Sequence, residues 1–68
     1  MRNRLKVLRA ERDWTQEHLA KAAGVSRQAI NAIETGKYDP SLPLAMKLAR
    51  IFGQRVEQIF ALDEETAV

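Results

Sequence analysis

Apolar and polar residues follow a helical period along most of the chain. The clearest apolar stripe consists of Leu44, Leu48, Ile51 and Phe52. This spacing gives a helix a single apolar face, and Gly53 is placed to end that helix. Strict alternation of apolar and polar residues, which indicates a strand, is confined to short stretches. The pattern therefore predicts an all-α fold.

Five helices are predicted, and most of them have a recognisable start or end. They cover about residues 3–12, 16–23, 27–35, 42–52 and 56–60. Thr15, Ser26 and Ser41 precede the middle three helices, where a side-chain oxygen can accept a hydrogen bond from an exposed backbone N–H group. Gly24 and Gly36 follow the second and third helices, at positions that favour a left-handed residue. The apolar positions together predict one small helical core.

The segment from Gln16 to Thr35 carries the most specific pattern. Its two short predicted helices are joined by a turn at Gly24, and the second of them begins after Ser26. Two helices joined by a short turn that contains glycine form a helix-turn-helix, which places its second helix in the major groove of DNA. The segment therefore predicts a DNA-binding unit.

Three polar side chains are predicted to contact bases. Arg27 and Gln28 occupy the first two positions of the third predicted helix, and Asn31 follows Gln28 by about one turn. Arginine pairs with guanine O6 and N7, whereas glutamine and asparagine pair with adenine N6 and N7. These residue types at the start of this helix therefore predict direct recognition of base edges.

Four residues are predicted to contact DNA phosphates: Gln16, Ser26, Lys37 and Tyr38. Gln16 begins the second helix, where its amide group, its backbone N–H and the helix dipole all favour an anion. The other three flank the third helix and can hold the DNA backbone on either side of it. The alternatives are a Lys37 that is only solvated and a Tyr38 that covers the rim of the core.

Length and charge fit this interpretation. A chain of 68 residues makes a single domain, predicted over residues 1–62 with an acidic tail at 63–68. Residues 1–37 hold eight basic and four acidic residues, whereas residues 38–68 hold three and five. The basic part contains the predicted motif, as phosphate binding requires. An ordinary solvated surface would show the same asymmetry.

Composition argues against several other classes of protein. The chain has no cysteine and one histidine, His18, whereas a metal site needs three or more ligands. A domain this small leaves little room for a substrate pocket, so no enzymatic activity, cofactor or metal is predicted. No apolar run approaches the length of a membrane span, and no apolar segment of a secretory signal follows the basic first residues. A cytoplasmic location is therefore expected.

The order and spacing of these elements resemble the Xre/Cro-type helix-turn-helix family, which includes phage repressors and many small bacterial and archaeal regulators. The resemblance covers about residues 4–60, and its most specific parts are TQEHLA, GVSRQAINAIETGK and PSLPLAMKLA. It implies a compact five-helix bundle with a lambda-repressor-like fold, in which the second and third helices form the DNA-binding pair. Trp14 and Arg55 depart from the family pattern, at positions that affect packing.

The resemblance also implies an ion pair between Arg9 and Glu34. Similar positions in the family hold an arginine and a glutamate that join the first helix to the end of the third. Loss of one partner of a partly buried pair costs more stability than the intact pair contributes. The implied role is structural, because the pair would orient the third helix. The alternative is two independent surface charges.

The predicted function is a transcriptional regulator that binds double-stranded DNA as a repressor-like homodimer. One copy offers too few base-contacting side chains to find a site in a genome, which favours two copies on half-sites about 34 Å apart. The predicted dimer surface lies near the end of the chain and consists of Val56, Ile59, Phe60 and Leu62. The alternative is that the first three of these residues fold back onto the core.

Two other functions remain open. In a DNA-binding antitoxin, the acidic tail after Phe60 would bind a partner protein. In a protein-interaction domain, the fold would persist without DNA binding, but Arg27, Gln28 and Lys37 together argue against this alternative. No small-molecule effector is expected, because the sequence shows no separate ligand domain.

Overall fold

The computed structural model describes residues 1–63, which form five helices and one pair of short strands. In chain order these are β1 (Arg2–Asn3), α1 (Leu5–Glu11), α2 (Gln16–Ala23), α3 (Arg27–Glu34), α4 (Leu42–Phe52), α5 (Val56–Ile59) and β2 (Phe60–Ala61). Residues 64–68 of the predicted acidic tail lie outside the described residues, and so does the partner surface that an antitoxin would place there. Within residues 1–63, no helix has the length and apolar character needed to cross a bilayer.

The three central helices begin at the predicted side-chain caps. Thr15, Ser26 and Ser41 each accept a hydrogen bond from the backbone N–H three residues further on, at 3.0, 3.1 and 3.2 Å. Each bond satisfies an N–H group that has no acceptor within its own helix. Helices α2 and α4 end before Gly24 and Gly53, whose φ angles of 71° and 65° are left-handed. The predicted bounds of α2 and α4 are confirmed.

The five predicted helices are present, and the structure adds one pair of two-residue strands that the helical pattern does not predict. β1 pairs antiparallel with β2, with Arg2 opposite Ala61 and Asn3 opposite Phe60. The sequence pattern places Asn3 in the first helix and Phe60 in the fifth, and both helices are shorter than predicted. Two residues are too few to show an alternating pattern, so this pairing depends on two distant segments meeting in space.

One apolar core holds the five helices together. Every helix contributes at least one fully buried side chain to it: Leu5, Leu8, Leu19, Ile30, Ile33, Leu48 and Ile59. Burying a side chain of this size stabilises a protein by about 1.5–3 kcal/mol. Helices α2 and α3 pack closely on each other, so the core holds them as a unit and leaves the outer face of α3 in solvent.

The core also includes two residues of the predicted dimer surface, Ile59 and Phe60. They are 2% and 6% exposed, so neither presents its side chain to a second copy. Val56 is partly buried and packs against the core, whereas Leu62 is 60% exposed. The prediction for Ile59 and Phe60 is therefore corrected. A domain of this size has few apolar residues to spare, and α5 is needed to close its core.

Candidate nucleic-acid interface

The outer face of α3 carries three exposed polar side chains. Arg27 and Gln28 occupy its first two positions, and Asn31 lies about one turn further on. Ile30 and Ile33 of the same helix are buried in the core. The helical period therefore separates a face that packs from a face that stays in solvent, and all three predicted base-contacting residues lie on the exposed side.

Ser26, Lys37 and Tyr38 flank α3 and are exposed. The Ser26 hydroxyl oxygen accepts the helix-capping bond, and its own O–H remains able to donate. The backbone N–H groups of Lys37 and Tyr38 donate to the carbonyl oxygen of Ala32 at 2.9 and 3.2 Å, which holds this segment against the end of α3. Tyr38 is 52% exposed, so about half of its surface remains open to a partner.

Arg9 of α1 and Glu34 of α3 form a two-pronged ion pair. Nε and Nη2 of Arg9 donate to Oε2 and Oε1 of Glu34 at 2.8 and 3.1 Å, while Nη1 donates to the carbonyl oxygen of Trp14 at 2.9 Å. The Glu34 side chain is only 4% exposed. Burial by itself raises the pKa of Glu34, but the hydrogen bonds from Arg9 and Gln16 outweigh it and hold this pKa below its usual value. A charged carboxylate thus ties α1 to the last turn of α3.

Gln16 lies against α3 and connects two of the predicted groups. Its Nε2 group donates to Oε1 of Glu34 and to Oδ1 of Asn31, both at 3.1 Å. The sequence assigns Gln16 to a phosphate contact, Glu34 to an ion pair and Asn31 to a base contact. The packing of α2 on α3 brings these three residues together. The backbone N–H of Gln16, at the first position of α2, has no acceptor within the helix and remains available to an anion.

Asn3 is a positioning residue that the sequence pattern misses. Its Oδ1 accepts a hydrogen bond from the backbone N–H of Leu5 at 3.2 Å, and its Nδ2 donates to the carbonyl oxygen of Ile33 at 2.8 Å. Asn3 therefore supports the start of α1 and the end of α3 at once. The first bond has a local signal, because asparagine commonly accepts a bond from the N–H two residues on. The second bond, to the carbonyl oxygen of Ile33, joins residues that are far apart in the sequence and has no such local signal.

Trp14 packs in a small aromatic cluster between α2 and α4. Its ring stacks on His18 with centroids 4.4 Å apart, and its ring centroid lies 5.6 Å from that of Phe52. The guanidinium carbon of Arg12 lies 4.8 Å from the Phe52 ring centroid. The large Trp14 side chain packs within this cluster, and His18 is the residue that stacks on its ring.

Comparison with known protein families identifies this arrangement. The Helix-turn-helix family model matches residues 5–59, which span all five helices and leave out both strands. The chain belongs to the helix-turn-helix family of Xre/Cro type. This is a family of DNA-binding transcriptional regulators that includes phage repressors. The family that the sequence motifs indicated is confirmed.

Relatives of this helix-turn-helix protein match nearly all of it. It is 57% identical over 65 residues to an uncharacterized HTH-type transcriptional regulator of Methanocaldococcus jannaschii, a match that covers 96% of this chain and 98% of the other. It is 33% identical over 66 residues to RstR, a transcriptional repressor of the cryptic phage CTXphi in Vibrio cholerae, with 97% of this chain and 59% of the repressor covered.

A solved structure supports the fold directly. The restriction-modification controller protein C.AhdI from Aeromonas hydrophila superposes with a TM-score of 0.76 at 32% identity, over 84% of this chain and 86% of that chain. The likeness confirms the predicted lambda-repressor-like helix-turn-helix fold, to which this chain adds the β1–β2 pair described above.

Proposed function

We propose that this protein is a sequence-specific regulator that binds double-stranded DNA with α3 in the major groove. The observation that carries the proposal is the position of Arg27, Gln28 and Asn31 on the exposed first half of α3, a helix whose opposite face is buried. Their side chains carry the donors and acceptors that match purine edges. The Arg9–Glu34 pair holds the last turn of the same helix, so the three side chains stand on a rigid support.

Groups around α3 would supply the phosphate contacts. The backbone N–H groups of Gln16 and Glu17, the first two of α2, are not used by the Thr15 cap and are suited to an anion. The exposed side chains of Ser26, Lys37 and Tyr38 add donors on the flanks of α3. Phosphate contacts of this kind fix the position of the protein on the duplex, while the α3 side chains select the sequence.

The regulator would act as a homodimer that represses transcription. A single copy presents three candidate base contacts, and a second copy on a half-site about 34 Å away doubles that number. Leu62 and the partly buried Val56 are the remaining apolar residues of the predicted dimer surface. The match to RstR, a transcriptional repressor, supports repression as the mode of action.

Selection of bound fragments from a random pool of DNA duplexes tests this function. The expected result is enrichment of one inverted repeat, with an affinity that falls steeply as salt rises because bound phosphates release their counterions. A double variant, Arg27→Ala with Gln28→Ala, is the control: it should keep its circular dichroism spectrum and lose the enrichment. A wild-type protein that enriches no sequence would show the proposal to be wrong.

A further inference from the structure

Charge sets the direction of the hydrogen bonds that run from Arg9 to Asn31. Arginine offers only donors and an ionised carboxylate only acceptors, so Glu34 can bind a neighbouring amide only through that amide's nitrogen. Gln16 accordingly turns Nε2 toward Oε1 of Glu34. The second hydrogen of the same nitrogen is directed at Asn31, whose Oδ1 accepts it. The partly buried ion pair therefore determines which atom Gln16 presents to α3.

This chain of bonds also fixes the amide group of Asn31. An unconstrained asparagine can turn its amide by half a rotation and present either the oxygen or the nitrogen to a partner. Here Gln16 holds the oxygen, and within residues 1–63 the Nδ2 group of Asn31 donates to no protein acceptor. Asn31 is thus held with its oxygen engaged and its donor group unused.

We propose that Gln16 determines specificity by making Asn31 recognise DNA as a hydrogen-bond donor. This inference rests on the proposed function. In the major groove, guanine offers the acceptors N7 and O6, adenine N7 and thymine O4, whereas cytosine offers only the N4 amino donor. The fixed Asn31 amide discriminates against cytosine, because a donor would then face a donor. Gln16 acts through Asn31 and is in this respect a positioning residue.

Affinities for single-base variants of the selected operator test the inference. The base read by Asn31 is the position at which Asn31→Ala changes the base preference. There, wild-type protein should bind cytosine most weakly, by roughly 3- to 10-fold, the size of one hydrogen bond. Gln16→Met keeps the length of the side chain and removes its amide, so Asn31 can turn its oxygen to the cytosine amino group. The penalty for cytosine should then fall to about twofold or less.

Two double variants supply the control. Gln16→Met should have no effect on base preference once Asn31 is alanine, and the effects of the two substitutions on affinity should not add. Gln16→Met combined with Arg27→Ala should be additive, since these two residues share no hydrogen bond within the described residues. In Asn31→Asp the new carboxylate has only acceptors. This variant should therefore invert the order of base preference and bind cytosine best.

Each contrary result has a distinct meaning. If Gln16→Met weakens binding by the same factor for all four bases, with or without Asn31, Gln16 is a phosphate contact and the inference is wrong. It is also wrong if Asn31→Ala alters the preference at no position, or if the cytosine penalty survives in Gln16→Met. In all of these cases the operator itself is still bound, so the proposed function stands. A wild-type protein that selects no operator overturns both proposals.

Discussion

Single side chains on and beside α3 are expected to contribute to DNA binding in two different ways. Arg27 and Gln28 are exposed at the start of the helix, where base edges would lie, whereas Lys37 follows Gly36 beyond its end. Contacts to bases distinguish one sequence from another, and contacts to phosphates strengthen binding to all sequences alike. Substitutions of base-contacting residues should therefore change sequence preference, whereas substitutions of phosphate-contacting residues should weaken binding to all sequences.

Arg27→Ala and Gln28→Ala should each reduce the free energy of operator binding by about 1–3 kcal/mol. Each removes side-chain hydrogen bonds to a base edge, and both residues are exposed, so the fold should be unchanged. Fluorescence anisotropy at a single salt concentration measures the loss, and a scrambled duplex serves as the control. Operator binding as tight as that of wild type in both variants would refute the base contacts.

Lys37→Ala should weaken binding to every duplex by a similar factor. Loss of one phosphate contact should also reduce the slope of log affinity against log salt by about one unit. Titrations of the operator and of a scrambled duplex at several salt concentrations measure both effects. A change in base preference in this variant would contradict the assignment of Lys37 to the DNA backbone.

At the scale of elements, the ion pair between Arg9 and Glu34 joins α1 to the last turn of α3. Glu34→Ala leaves the Arg9 guanidinium, whose side chain is only 16% exposed, without its counter-charge. The free energy of unfolding should therefore fall by more than the roughly 0.5 kcal/mol typical of surface substitutions, and by up to about 3 kcal/mol. Urea unfolding measures it, with Glu11→Ala, an exposed glutamate of α1, as the matched control. Equal effects in the two variants would mean that the pair contributes nothing.

The same pair gives stability a defined dependence on pH. The pKa of Glu34 in the folded protein is lower than its ordinary value of 4.5, so the unfolded state binds the proton more readily. The contribution of Glu34 is complete above that ordinary value and is lost as the pH falls below it toward the folded pKa. Between about pH 5 and pH 3, wild type should lose more stability than Glu34→Gln. If wild type and Glu34→Gln lost the same amount of stability over this pH range, the lowered pKa of Glu34 would be contradicted.

At the scale of the whole molecule, we expect a homodimer that depends on Leu62. This side chain is 60% exposed, whereas Ile59 and Phe60 are buried in the core and their substitution would test folding instead. Sedimentation at micromolar concentration should show a dimer for wild type and a monomer for Leu62→Glu. Met46→Glu, at an exposed position of α4, should remain dimeric. A wild type that is monomeric both free and on its operator would rule out the dimer.

The sequence by itself determined the local parts of this protein. The starts of α2, α3 and α4 follow from Thr15, Ser26 and Ser41, because a capping bond joins residues only three positions apart. The exposed position of Arg27 on α3 follows in the same way from the helical period. The family was also accessible, because its motifs are ordered and spaced along the chain itself.

Only the tertiary structure decided which distant groups meet. It placed Ile59 in the core, paired Asn3 with Phe60 across β1 and β2, and turned the amide of Gln16 toward α3. None of these contacts leaves a local signal, because each depends on the closure of the helices around one small core. The strength of an ion pair or an amide bond likewise depends on burial and on the partners that remain, and both are properties of the folded chain.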